Sequence, residues 1–150
     1  MSIAIYTPAS SRRNSSLLHA LNLPETLPDA HQRIAVGFSS GVLKRTASLS
    51  AFDEIWLCRL AGIDRSTYNR KVKDPQQTFS PDQSGRIYML IRVLSAASTL
   101  LRDDPARLVQ WLETPAKALG GRKPAEMTTT VAGAEAVLNL IGQLEHGVIT

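Results

Sequence analysis

The stretch L-C-R-L-A-G-I-D-R-S-T-Y-N-R-K-V, Leu57 to Val72, has the layout of a helix-turn-helix. An amphipathic helix runs into a glycine at the turn, an apolar Ile63 follows, and a short second helix has one buried and one exposed face. With Tyr68 and Val72 turned to a core, Arg65, Ser66, Asn69, Arg70 and Lys73 point outward together. Arg can make two hydrogen bonds to a guanine edge and Asn two to adenine, while Lys73 and Ser66 suit phosphate oxygens. The same face also fits an ordinary solvated helix. Between Arg59 and Lys73, however, five bases oppose the single Asp64, and that local excess favours DNA as the partner.

Upstream, Ser50 precedes A-F-D-E-I-W-L-C-R-L-A, where Phe52, Ile55, Trp56 and Leu60 fall at helical intervals. Ser50 reads as the N-cap of this helix, with Asp53 and Glu54 in its first turn and Gly62 as its stop. Earlier still, Ile34, Phe38, Val42 and Leu43 are helically spaced, interrupted by Gly37 and Ser39-Ser40-Gly41. Residues 1–28 are rich in Ser, Pro and Asn and have little apolar periodicity beyond Leu17, Leu18 and Leu21. They read as a flexible N-terminal arm, poorly ordered or folding only on contact.

Downstream, Ser80-Pro81-Asp82-Gln83 combines an N-cap, proline at the first helical position and Gln three residues after the cap. Ile87, Leu90, Ile91, Leu94, Ala97 and Leu101 carry that helix on for roughly five or six turns. Asp104-Pro105 starts another helix bearing Leu108, Trp111 and Leu112, which Thr114-Pro115 closes. Pro124 to Met127 forms a short turn. A last helix, roughly Val131 to Glu145, places Val131, Ala134, Val137, Leu138, Ile141 and Leu144 on one side, with Gly147 as its cap. No segment alternates with period two, so the predicted class is all-α. The predicted organisation is an arm (1–28), a helix-turn-helix domain (29–79), a connecting helix (80–103) and a C-terminal domain (104–150).

The chain has 150 residues and one cysteine, Cys58, so no internal disulfide forms. There is no apolar run of spanning length and no secretory signal pattern at the N-terminus, so a cytoplasmic setting without a membrane partner is expected. Of the net charge of +4, all lies before Gln76: ten Lys or Arg face six Asp or Glu up to Pro75, and seven face seven thereafter. One half therefore suits a polyanion and the other a different partner. His19, His31 and His146 lie far apart, and none is at metal-ligand spacing with Cys58. Cys58 itself reads as core filler, and the Gly120-Gly121-Arg122-Lys123 run lacks the spacing of a phosphate-binding Walker loop. No cofactor, metal site or catalytic residue is expected, and the chain does not read as an enzyme.

Two adjacent glycines between prolines, in W-L-E-T-P-A-K-A-L-G-G-R-K-P (Trp111 to Pro124), admit two readings. They make a tight turn between helices, or they let a partner approach a bare backbone beside Arg122 and Lys123. Together with G-A-E-A-V-L-N-L-I-G-Q-L-E-H-G-V, this segment resembles the toxin-binding domain of the MbcA/ParS/Xre antitoxin family. The resemblance rests on Trp111-Leu112, Pro115, Leu119-Gly120-Gly121, Pro124, Gly133-Ala134, Val137 and Glu145-His146-Gly147-Val148. It runs upstream through G-F-S-S-G-V-L, G-I-D-R-S-T and S-P-D-Q-S-G-R-I, covering residues 30–150. The second helix of the pair departs from the family's usual Ser-Thr-Leu-Tyr-Arg-Arg, and Pro124-Ala125-Glu126-Met127 departs from its leucine-rich turn.

The resemblance implies an antitoxin that represses its own operon and neutralises a RES-domain toxin, an NAD-consuming fold related to ADP-ribosyltransferases. It implies a toxin-facing surface made of Leu119, Gly120, Gly121, Arg122, Lys123, Glu145, His146, Gly147, Val148 and Thr150, with free loop amides entering a pocket shaped for an anionic dinucleotide. The DNA-facing residues are then Arg65, Ser66, Asn69, Arg70 and Lys73, acting in a homodimer on a palindromic operator. The sequence does not single out the dimer surface, for which exposed apolar residues on the long helix are candidates. The rival reading is a stand-alone transcriptional regulator whose C-terminal domain only oligomerises.

Overall fold

In the computed structural model, which describes residues 17–147, the Ser80 signal does what its sequence predicts. The Ser80 hydroxyl accepts from the Gln83 N–H at 3.1 Å, and the Gln83 side chain accepts from the Ser80 N–H at 2.9 Å. Pro81 then opens a helix of 20 residues, Pro81–Leu100. Ile87, Tyr88, Met89, Leu90 and Ile91 are all buried. Five consecutive residues sweep the full circumference of a helix, so this one is enclosed on every side.

Around it lie, among the described residues, α1 (Leu27–Val36), α2 (Val42–Ser50), α3 (Glu54–Leu60), α4 (Arg65–Val72), then, after the central α5, α6 (Pro105–Leu112), α7 (Pro124–Met127) and α8 (Val131–Glu145). A short 3-10 turn, Lys117–Leu119, precedes α7. Extended backbone is limited to two isolated bridges, Ser39 with Thr78 and Ala116 with Arg122, so the described fold is all-α, as expected.

α1 and α8 both pack on α5, and α6 joins them. The expected connecting helix is thus shared by both halves and contributes most to one continuous core. Its apolar residues are mostly buried within the chain: among the described residues, the large apolar side chains left exposed are Leu27, Val36, Leu49, Ile55, Val131 and Leu144, none of them on α5.

The expected flexible arm requires correction from Leu17 onward. Residues 17–20 form a helical turn, and Leu18, Leu21 and Leu23 are buried in the core. The Tyr88 hydroxyl, on α5, donates to the Pro24 carbonyl at 2.7 Å. Residues 1–16 of the arm lie outside the described residues.

Two helix boundaries also differ from expectation. Ser50 ends α2, its hydroxyl donating back to the Thr46 carbonyl at 2.6 Å, and Ala51 takes a left-handed conformation with φ 63°. The cap of α3 is Asp53, whose carboxylate accepts from the Trp56 N–H at 2.9 Å. In α8, Gly133, Ala134, Val137 and Ile141 are buried, whereas Val131 and Leu144, expected on that face, are exposed at its two ends.

Candidate functional site

The first candidate surface is α4. Its register is set by Tyr68, which is buried, stacked on Phe79 with ring centroids 6.5 Å apart, and bonded through its hydroxyl to the Glu54 carboxylate. Burial, and then the bond to Glu54, push the Tyr68 hydroxyl well above the usual phenol range. With Tyr68 inward and Val72 half-buried, Arg65, Ser66, Asn69, Arg70 and Lys73 are all exposed, so the structure brings the five expected residues onto one open face. Two details modify the sequence reading. The Ser66 hydroxyl donates to the Asp64 carboxylate, so its proton is engaged and a phosphate contact requires it to turn away. That bond, and then the Thr67 N–H, hold the Asp64 carboxyl below its ordinary value. Of the five bases between Arg59 and Lys73, Lys71 donates to the Thr78 carbonyl at 2.8 Å over the Phe79 ring, and Arg59 pairs with Glu113 at 3.1 Å. Arg65, Arg70 and Lys73 remain to face a polyanion.

The turn that aims α4 is held from the other half of the chain. Gly62 has φ 66°, and a Cβ there would lie 2.7 Å from the Arg86 guanidinium. Arg86 donates to the Ala61 carbonyl at 3.1 Å and to the Gly62 carbonyl as well. Thr128, wholly buried, donates to the Leu60 carbonyl at 2.8 Å. Three successive turn carbonyls are therefore satisfied by α5 and by the residue after α7. No local sequence pattern signals this.

The second candidate surface is the Ala116–Arg122 loop. Gly120 and Gly121 have φ 68° and 80°, the left-handed region that favours glycine. A Cβ at either would meet nothing within 4 Å. The tight-turn reading is thus satisfied, and the outer side of the loop is open as well. The expectation of free amides is overturned: Gly120 N–H donates to the Lys117 carbonyl at 3.1 Å and Gly121 N–H to the Ala116 carbonyl at 3.0 Å. Leu119 is buried and anchors the loop, while Arg122 is exposed. Lys123 is half-buried, its ammonium 3.7 Å from Glu113 and its N–H donating to Glu126 at 3.3 Å.

Glu145, His146 and Gly147 are exposed at the far end of α8, where Gly147 has φ 70° and its N–H donates to the Leu144 carbonyl at 3.3 Å. The 3-10 turn of the loop leans on α8. Val148 and Thr150, the remaining candidate residues, lie outside the described residues.

No group of three or more His, Cys, Asp or Glu able to hold a metal ion occurs among the described residues. Cys58 is buried, and burial, with Glu54 and Asp53 adding to it, raises its thiol to about 12. A thiol held neutral in this way suits core filling rather than nucleophilic chemistry. No described helix is long and apolar enough to cross a membrane.

Comparison with known proteins covers both regions that carry these candidate surfaces. Residues 29–92 match the Antitoxin Xre-like helix-turn-helix domain, and residues 96–147 match the Antitoxin Xre/MbcA/ParS C-terminal toxin-binding domain. Both are binding modules, consistent with a chain that is not an enzyme. An Antitoxin Xre of Yersinia enterocolitica serotype O:8 / biotype 1B is 33% identical over 150 residues, covering 97% of this chain and 98% of that protein. An Antitoxin Xre of Photorhabdus laumondii subsp. laumondii is 29% identical over 147 residues, covering 97% and 99%. A Prs ADP-ribosylating antitoxin of a Sphingobium species is 25% identical over 122 residues, 76% of each chain. A paired match spanning nearly all described residues, with near full-length similarity to an Xre antitoxin above 30% identity, places this chain in the Xre/MbcA/ParS antitoxin family.

Proposed function

We propose that the chain is the antitoxin of a toxin-antitoxin pair, acting in the cytoplasm on two partners. It neutralises a RES-domain, NAD-consuming toxin through the Gly120-Gly121 loop with Arg122 and Lys123, joined by the end of α8 and the residues that follow it. It represses its own operon as a homodimer through Arg65, Ser66, Asn69, Arg70 and Lys73. The observation that carries this reading is the division of labour on the surface: an exposed basic face on α4, and an open left-handed glycine pair in the half that matches a toxin-binding domain. The relative described as an ADP-ribosylating antitoxin supports a partner from the ADP-ribosyltransferase class. The toxin-binding match also speaks against a regulator whose C-terminal half only oligomerises.

The test separates the two surfaces. Arg70→Ala with Lys73→Ala removes two phosphate-suited cations, so operator affinity falls and its salt dependence flattens by a slope of about 2. The same double variant still rescues cells from the product of the adjacent toxin gene. Unchanged operator binding at two salt concentrations, or loss of rescue, contradicts the assignment.

A further inference from the structure

One carboxylate joins the two surfaces. Glu113 follows the last residue of α6, and its Oε1 accepts from the Trp56 indole N–H at 2.9 Å and from Arg59 at 3.1 Å, both on α3. Its Oε2 lies 3.7 Å from the Lys123 ammonium, beside the glycine loop. Trp56 and Glu113 are 57 residues apart in the chain. A negative charge at this position opposes the dipole of α6, whose C-terminal end already carries partial negative charge. Helix stability therefore does not account for a carboxylate here, and the donors from two other segments do.

We propose that Glu113 is a positioning residue linking the two binding surfaces: it holds Lys123 in place next to the toxin-facing loop and simultaneously holds α3, the first helix of the DNA-reading pair. This rests on the assignment of those surfaces given above. A toxin that engages Lys123, or displaces the loop, alters the field and the position of a carboxylate on which Trp56 and Arg59 depend. α3 in turn carries Glu54, which bonds Tyr68 and so fixes the face of α4. Toxin occupancy and operator affinity are then linked, and by thermodynamic necessity the effect is equal in both directions.

The experiment uses the full chain, the product of its adjacent toxin gene, and a duplex carrying the DNA immediately upstream of its own reading frame. Operator affinity is measured with and without saturating toxin, and toxin affinity with and without saturating duplex. For the parent, both shifts are expected to be equal and at least about fivefold. Glu113→Gln keeps an oxygen for Trp56 but loses the charge that Arg59 and Lys123 share. It should reduce both shifts to within twofold while either partner still binds alone and melting stays close to that of the parent. Lys123→Ala leaves the α3 contacts intact but removes a toxin-facing cation, so it should lower toxin affinity itself and, with toxin at saturation, also reduce both shifts to within twofold. A shift of parental size in both variants means that linkage arises from assembly of copies on the duplex, and overturns the proposal. So do equal affinities with and without the second partner in the parent. A parent that fails to bind one partner at all refutes the assigned surfaces themselves, a separate and recognisable failure.

Discussion

Gly133→Ala sets two effects of opposite sign against each other inside α8. Alanine in a helix interior is favoured over glycine by about 1 kcal/mol, so without tertiary contacts the substitution stabilises. Here an added Cβ would lie 1.9 Å from the Met127 carbonyl oxygen, 2.8 Å from its carbon and 3.0 Å from the Thr130 hydroxyl. The obstacle is backbone, and it has little freedom: Thr128 follows directly, buried and bonded to Leu60, and the Thr130 hydroxyl caps α8 by accepting from the Gly133 N–H at 2.9 Å. Relief requires α7 and α8 to separate, or the cap to break. Overpacking costs about 1–3 kcal/mol and losing a cap about 1 kcal/mol. The clash therefore outweighs the propensity, with a net loss of about 2 kcal/mol and a fall in melting temperature of roughly 4–8 °C for a chain of this size. Thermal melting followed by circular dichroism measures it. Gly142→Ala is the companion variant, because nothing lies within 4 Å of its added Cβ and it should melt at or slightly above the parent. A Gly133→Ala protein as stable as the parent would refute the packing argument.

In Gly121→Val the added Cβ meets no atom within 4 Å, but valine must hold a left-handed φ, so the free protein should lose about 1–2 kcal/mol while toxin affinity falls by more than that; titration with toxin alongside melting separates the two, and equal losses would remove the loop from the interface. Thr128→Val should leave the Leu60 carbonyl buried without a donor and cost about 1–3 kcal/mol, read from denaturant unfolding, and an unchanged midpoint would show that the bond does not hold the turn. For Cys58, whose thiol is raised from 9.0 to about 12, folding favours the neutral form. Its contribution is complete below the unfolded value and is lost as pH rises from there through the folded one, so alkylation at pH near 8.5 should be slow in the native protein and fast in denaturant.

The parts of the fold that were legible are those written in local chemistry. The Ser80 to Gln83 box, Asp104-Pro105 and Pro124 each carry their own start signal, and each helix begins where its signal stands, while the last helix is legible from its apolar spacing. Where two signals lie close together, local chemistry does not decide between them: Ser50 and Asp53 are both good caps, and the choice falls to Ala51, whose left-handed turn has no sequence mark. Leu18, Leu21 and Leu23 sit among Asn and Pro, and they are buried in a core built largely from residues far away in the chain. The outward face of α4 followed from the spacing of Tyr68 and Val72 alone. The internal use of Arg59 and Lys71 did not, because a charge count cannot tell a cation that faces solvent from one bound to a distant carboxylate or carbonyl. The bonded amides of the glycine loop were hidden for the same reason.

The seam between the two recognised regions falls at residues 92–96, inside α5 and not in a linker. Cutting there would leave each fragment with half of an apolar cylinder facing water. The DNA reader and the toxin grip are therefore not cassettes that recombination can exchange freely. A new toxin specificity grafted onto an old operator specificity must bring a matching side of α5 with it, together with Thr128 for the Leu60 carbonyl. Diversification in such a chain is expected to proceed by substitution on the exposed face of α4 and around Gly120 and Gly121, with the shared helix changing more slowly than either.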